Sequence, residues 1–121
     1  MTKPGIVAAY AEPSDMAFAS GLLAAAPAEA KAFVAFKTVS ERSDGVIPAK
    51  YRELIALSAA LTTQCSYCLD VHTRQALEAG ATREELAETI FIAAALRAGA
   101  AVGHGLLVQK IADAAAKPAS A

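Results

Sequence analysis

The chain is poor in several residue types, and these shortages exclude some classes of function. Its 121 residues include no tryptophan, two cysteines and two histidines, and aromatic side chains make up only 6%. The formal net charge is −1, so no excess of positive charge is available to bind nucleic acid or an acidic membrane surface. We therefore expect neither nucleic acid nor a membrane as a partner.

The sequence shows neither a long apolar run nor the core of a signal peptide. Arg97 interrupts the longest apolar run, which follows Ile90, so no stretch reaches the roughly 20 residues of a membrane span. The segment Met1–Gly5 lacks a signal-peptide core. We expect a cytoplasmic chain, in which a Cys-x-x-Cys pair is more typical of catalysis or metal binding than of a permanent cross-link.

Alanine and leucine are abundant, and hydrophobic residues make up 55% of the chain. This length suits one domain, which we place at residues 1–121 with flexible ends at 1–13 and 117–121. Apolar content this high exceeds what one small domain readily buries. We therefore expect helices that bury a second face between subunits of a homo-oligomer.

Helical spacing and punctuation predict an all-α fold. Pro27 and Pro48 suit helix starts, Thr62 and Thr63 can cap a following helix, and Gly80 suits a helix end. The predicted helices cover residues 14–26, 27–40, 48–61 and 64–79, with a polar turn at 41–45.

The clearest start signal is the Thr-x-x-Glu capping box of Thr82 and Glu85, which opens a fifth helix. Gly99, Gly103 and Gly105 predict a bend or break before a last helix. The β-branched pair Val46-Ile47 is too short for a strand, so the thioredoxin interpretation of the cysteine pair, which needs strands, is disfavoured.

Cys65, Cys68 and His72 carry the main functional signal. Residues three and four apart are neighbours on a helix, so Cys65 meets Cys68 and Cys68 meets His72. The two α-carbons would lie roughly 5 to 5.5 Å apart, which allows a disulfide that we expect to form and break reversibly. The helix start favours Cys65 as the reactive thiolate, whereas His72 favours Cys68, and the spacing does not choose between them.

Glu53 lies twelve residues before Cys65 on the preceding predicted helix. If these helices pack antiparallel, its carboxylate can orient the imidazole of His72 and raise its basicity. The alternative is that Glu53 is a solvated surface charge.

Several segments together resemble the carboxymuconolactone decarboxylase superfamily, and more narrowly its alkylhydroperoxidase AhpD-like branch. The resemblance covers about residues 33 to 108 and implies an all-helical protein that forms trimers or hexamers and reduces hydroperoxides with a cysteine pair. The segments that carry it are Lys50–Leu57, Gln64–Cys68, His72, Gly80–Thr82 and Glu84–Glu85.

The resemblance implies a role for each site residue. Cys68 attacks the peroxide, Cys65 resolves the sulfenic acid into a disulfide, and His72 with Glu53 forms the proton relay. The expected activity is a thiol-dependent peroxidase or disulfide reductase acting on small organic hydroperoxides, without a cofactor. An external dithiol of lipoyl or thioredoxin-like type would regenerate the thiols.

The chain departs from the best-studied members of this branch at Tyr67, where they carry a histidine between the cysteines. The change is expected to weaken peroxidase activity or alter the substrate, unless Tyr67 is a packing residue with its hydroxyl at the surface. Decarboxylases of the superfamily lack the cysteine pair, so lactone decarboxylation is disfavoured.

Two alternatives remain open at this point. One is a non-enzymatic oligomer whose assembly responds to oxidation of the cysteine pair. The other is a metal-binding module, in which Glu53 or His104 would complete the ligand set of Cys65, Cys68 and His72. His104 alternatively bonds backbone at a helix junction. We expect no metal.

Overall fold

A computed structural model describes residues 11–118, and within this range the chain is helical with no strand. The all-α prediction is confirmed. A short 3-10 helix at Pro13–Phe18 continues directly into the first α-helix. The α-helices are α1 (Ala19–Ala25), α2 (Pro27–Ser40), α3 (Ala49–Thr63), α4 (Ser66–Glu78) and α5 (Arg83–Ala116).

Of the ends predicted to be flexible, residues 1–10 and 119–121 lie outside the described part of the chain. Pro13 begins the 3-10 helix, and Lys117 is the residue that follows the last turn of α5. The assignment of the chain to a single domain stays a prediction.

Most helix starts follow the predicted signals. Pro27 occupies the first position of α2, where its missing N–H removes no hydrogen bond, and Pro48 immediately precedes α3. The capping box at the start of α5 is confirmed, since the Glu85 N–H donates to Thr82 Oγ1 at 3.1 Å and the Thr82 N–H donates to Glu85 Oε1 at 3.0 Å. Gly80 has φ of 94°, a conformation that favours glycine between α4 and α5.

The predicted caps of α4 were wrong. Thr62 and Thr63 stay inside α3, and their hydroxyls donate to the Ala59 carbonyl of the same helix at 2.8 and 3.0 Å. Gln64 ends α3 in the left-handed conformation with φ of 58°. Cys65 is the cap instead, because its Sγ accepts the N–H of Cys68 at 3.4 Å. A hydroxyl that can reach a carbonyl one turn back need not cap the next helix.

The predicted break in the last part of the chain was also wrong, because α5 runs without interruption through Gly99, Gly103 and Gly105. Among the described glycines only Gly80 has positive φ. Each glycine costs a helix about 1 kcal/mol relative to alanine, which an alanine- and leucine-rich helix without an internal proline tolerates. The three glycines therefore remain ordinary helical residues.

The core is small and lies where α3 packs against α4 and against the first half of α5. The buried residues of the described chain are Leu57, Ala60, His72, Ala76, Ala81, Thr89 and Ala93. Most of them are small, which lets the three helices approach closely. His72 is the one ionisable side chain in this set, so the fold places an imidazole in its core.

Most of α2 and the second half of α5 are exposed in the single chain. By length and composition α5 could cross a membrane, and 6% of its apolar window is buried. Core helices of soluble proteins can share this length and composition. Arg97 therefore does not by itself exclude a membrane span, and the absence of a membrane partner stays a prediction.

Candidate redox site

The two cysteines are joined as a disulfide at the start of α4. Their α-carbons lie 5.3 Å apart, within the predicted distance. Cys65 is the residue before the helix and Cys68 lies in its first turn, so the pair straddles the helix start instead of lying wholly within it. Both residues are half-buried, which leaves the bridge partly accessible to a reductant.

Glu53 and His72 meet as the sequence argument required. The connection between α3 and α4 is two residues long, and it brings Glu53 Oε2 to 2.7 Å from Nδ1 of His72. The side chains are 14% and 8% exposed, respectively. Glu53 is therefore not a solvated surface charge, and it is placed to fix the orientation of the ring.

Gln75 adds a contact to Glu53 that the sequence argument missed. In the amide orientation that satisfies both groups, its side-chain nitrogen donates to both Glu53 oxygens at 3.1 Å. Gln75 lies three residues after His72 on α4, so helical spacing already placed it beside the imidazole. The Gln75 amide therefore fixes the position of the Glu53 carboxylate, which in turn orients the His72 ring.

Glu41 is a second residue that the sequence argument missed, because the segment 41–45 was interpreted only as a polar turn. Glu41 follows the last residue of α2, and its Oε1 lies 3.0 Å from Nε2 of His72. Its other oxygen pairs with Lys37 one turn earlier. A carboxylate at a helix C-terminus opposes the helix dipole, which was the available signal that Glu41 has a partner elsewhere.

The imidazole of His72 is thus held between two carboxylates. A neutral imidazole has one N–H and can donate to only one of them. Both hydrogen bonds form together only if the ring carries both N–H protons or one carboxyl group is protonated. Within residues 11–118, no hydrogen bond joins His72 to either sulfur in this disulfide form.

Comparison with known proteins places this arrangement in a family. The carboxymuconolactone decarboxylase family matches residues 27–110, which include all four predicted site residues. The chain belongs to this family. The alkylhydroperoxidase AhpD-like branch is consistent with that membership.

Solved structures support the same assignment. A crystal structure of a protein from Methanobacterium thermoautotrophicum is similar, with a TM-score of 0.65 and 33% identity over 74% of this chain and 97% of that one. The apo form of a carboxymuconolactone decarboxylase family protein from Legionella pneumophila has a TM-score of 0.61 and 28% identity over 69% of this chain and 73% of that one.

Two curated relatives are uncharacterised proteins. One is protein 4 in the cox locus of Paracoccus denitrificans, 42% identical over 51% of this chain and 56% of the relative. The other, from Cupriavidus necator, is 43% identical over 54% of this chain and 59% of the relative. The matches span somewhat more than half of these relatives, and neither name states an activity.

Tyr67 lies between the two cysteines, where the best-studied members of the branch carry a histidine. It connects the site to the start of the described chain. It is 37% exposed, and its hydroxyl donates to Asp15 Oδ2 at 2.8 Å. Two hydrogen bonds lower the pKa of the Asp15 carboxyl group: the bond from the Glu12 N–H has the larger effect, and the bond from the Tyr67 hydroxyl has the smaller one. The Tyr67–Asp15 bond also raises the pKa of Tyr67. The hydroxyl thus lies at the exposed surface, where it is bonded to Asp15.

An apolar cleft of about 310 Å³ lies beside Tyr67. The 3-10 helix and α1 form its other wall. It is lined by Asp15, Met16, Phe18, Ala19, Leu22 and Tyr67. The residue between the cysteines thus lines part of this cleft.

His104 lies within α5, so its predicted position at a helix junction was wrong. It is exposed and, within the described residues, makes no hydrogen bond or ion pair with the site. No group of three or more histidine, cysteine, aspartate or glutamate side chains in residues 11–118 is placed to hold a metal ion. The metal-binding alternative gains no support from this geometry.

Proposed function

We propose that this family member is a thiol-dependent peroxidase or disulfide reductase of the AhpD-like branch, acting on small organic hydroperoxides. The observation that carries the proposal is a Cys65–Cys68 pair at disulfide distance at the start of α4, the helix that carries a buried His72 oriented by Glu53. Four groups for thiol and proton chemistry thus come from α3, from α4 and from the residue that precedes α4. Family membership by itself includes decarboxylases as well as peroxidases, so the cysteine pair makes the choice.

The first half-reaction uses Cys68 as the nucleophile. Its thiolate attacks one peroxide oxygen, the O–O bond breaks, and an S–O bond forms as sulfur gives up two electrons. The alkoxide that leaves takes a proton delivered through His72 and departs as the alcohol. Glu53 keeps the ring in position for this transfer.

The second half-reaction restores the thiols. Cys65 attacks the sulfenic acid of Cys68, an S–S bond forms, and the hydroxyl leaves with the thiol proton as water. An external dithiol of lipoyl or thioredoxin-like type then exchanges with the bridge, is itself oxidised to a disulfide, and returns two protons to the cysteines. This cycle needs no cofactor or metal, and it suits a reducing compartment such as the cytoplasm.

We further propose a homo-oligomer, a trimer or a hexamer as the resemblance implies. Within residues 11–118 only seven residues are buried, a small core for a chain in which hydrophobic residues make up 55%. Large apolar side chains on α5, such as Phe91, Leu96 and Leu106, are among those exposed. Packing between copies would cover this surface.

A coupled assay tests the enzymatic proposal. Purified protein is given cumene hydroperoxide and a dithiol, and peroxide loss is followed beside a Cys68→Ser variant. The wild type should consume peroxide catalytically while the variant stays at the background rate. Equal rates for the two proteins would refute the peroxidase claim, and a large change of oligomer size on oxidation without turnover would support a redox-responsive oligomer instead.

A further inference from the structure

The two nitrogens of His72 are not equivalent. Nδ1 is 2.7 Å from Glu53, a carboxylate that is 14% exposed and itself held by Gln75. This side of the ring is fixed by α3 and α4 together. Any proton exchange between His72 and a cysteine must therefore use Nε2, and in the disulfide form Nε2 lies 3.0 Å from Glu41.

Helical spacing places Cys68 beside His72, because it lies four residues earlier on α4. In the bridge its sulfur has no proton to give and no charge, and it is a weak hydrogen-bond acceptor. Reduction changes this, because a thiolate is a full negative charge that attracts an imidazolium.

We infer that Nε2 of His72 has two alternative partners, the Glu41 carboxylate when the cysteines are bridged and the Cys68 sulfur when they are reduced. Glu41 is then a positioning residue that acts through His72 and favours the disulfide form. This inference rests on the reversible cysteine pair of the proposed function and does not require peroxide as the oxidant.

The surroundings of Glu41 fit an exchangeable contact. Its side chain is 31% exposed at the end of α2, and its other partner is Lys37 on the same helix. Arg52 of α3 donates to the Ser40 carbonyl at 2.9 Å and so tethers this end of α2 to the site. When Nε2 bonds to Cys68 instead, the Glu41 carboxylate remains paired with Lys37 and hydrated by water. No unpaired buried charge results.

The consequence is a shift of the disulfide equilibrium. Replacing Glu41 by the isosteric, neutral glutamine weakens the hydrogen bond made in the bridged form and leaves the pairing of the reduced form in place. Because Glu41 is half-buried, we expect the equilibrium constant for reduction to rise about threefold to tenfold, or roughly 15 to 30 mV for this two-electron couple.

The test is a redox titration of the full chain against oxidised and reduced dithiothreitol at fixed pH, with the bridged fraction counted by mass spectrometry after alkylation. The proteins are wild type, Glu41→Gln, and Glu78→Gln, which removes the same charge at an exposed position of α4. The first two are repeated in a His72→Asn background. Helicity and thermal unfolding show that each variant folds.

The inference predicts a threefold to tenfold shift for Glu41→Gln, no shift for Glu78→Gln, and no effect of Glu41→Gln once His72 is absent. If His72→Asn does not fold, the ¹⁵N chemical shift of His72 Nε2 is measured instead in wild type and in Glu41→Gln. This shift should change on reduction in both proteins, and in the bridged form it should differ between them.

A Glu41→Gln titration within twofold of wild type overturns the inference, as does a shift that persists without His72. Identical Nε2 signals in the bridged forms also overturn it. A protein that cycles its bridge but consumes no peroxide contradicts the proposed peroxidase activity alone. A bridge that cannot be reduced reversibly contradicts both.

Discussion

At the scale of single residues, the site is organised around one buried imidazole. His72 receives a carboxylate on each nitrogen, Glu53 from α3 and Glu41 from the end of α2. Glu53 could be predicted because its sequence distance from the cysteines allows contact across two packed helices, and because the family resemblance favoured this role over a solvated surface charge. Glu41 could not be assigned to His72, because its position at the end of a helix indicates only that it has a partner, and the identity of that partner depends on where α2 ends relative to α4.

Glu53→Gln should slow the reaction of the reduced protein with cumene hydroperoxide by about tenfold to a hundredfold. The amide keeps the shape of the side chain but no longer stabilises a charged imidazole, which weakens general acid–base catalysis. The second-order rate constant from stopped-flow measurement checks this. Glu78→Gln is the matched control, and a Glu53→Gln rate equal to that control would show that Glu53 does not act in the relay.

Tyr67→Phe should loosen the 3-10 helix, since it removes the hydroxyl that binds Asp15. Because the pKa of Asp15 is lowered, the contact is present above the ordinary value of 3.8 and is lost as the pH falls through the lowered value. Because amide exchange itself slows in acid, exchange is compared as protection factors, which at residues 14–18 should fall roughly threefold in the variant at neutral pH and in wild type at strongly acidic pH. Exchange unchanged by the substitution would argue against this contact.

At the scale of helices, capping residues and prolines determine most helix boundaries, and tertiary contacts determine the rest. Pro27, Pro48 and the Thr82–Glu85 box act locally, so the sequence predicts them well. The start of α4 depends on a left-handed Gln64 and a sulfur cap, which no common capping rule includes. The continuity of α5 through its glycines depends on the stability of the whole helix. An interpretation of one residue at a time overestimated the tendency of each glycine to break the helix.

Thr82→Ala should lower the free energy of unfolding by about 1 kcal/mol, because the side-chain cap of the Glu85 N–H is lost. Urea denaturation followed by circular dichroism measures the change. Thr38→Ala, at an exposed position of α2, provides the comparison and should alter stability little. Equal effects of the two substitutions would mean that the capping box does not stabilise α5.

At the scale of the whole molecule, the small core and the exposed apolar helices belong together. Composition alone predicted that the chain would have more apolar surface than one domain can hide, and the exposed side chains of α5 follow that expectation. The number and arrangement of subunits depend on the shapes of these surfaces, which composition does not encode.

Light scattering after size-exclusion chromatography should give a mass equal to three or six chains of 12.4 kDa. Leu106→Asp, at a residue that is 66% exposed in the single chain, should lower that mass because a charge then lies in the interface. Lys110→Asp, also on α5 but polar from the outset, is the comparison. A wild-type mass of one chain, measured without detergent, would contradict the assembly.

The central claim is that peroxide oxidises Cys68 and that Cys65 then closes the bridge. The most direct measurement gives fully reduced protein one equivalent of cumene hydroperoxide and analyses alkylated peptides by mass spectrometry alongside the alcohol formed. We predict one Cys65–Cys68 disulfide per alcohol released, and a sulfenic acid trapped on Cys68 in a Cys65→Ser variant. Alcohol formation without the bridge, or peroxide left intact by fully reduced protein, would contradict the account.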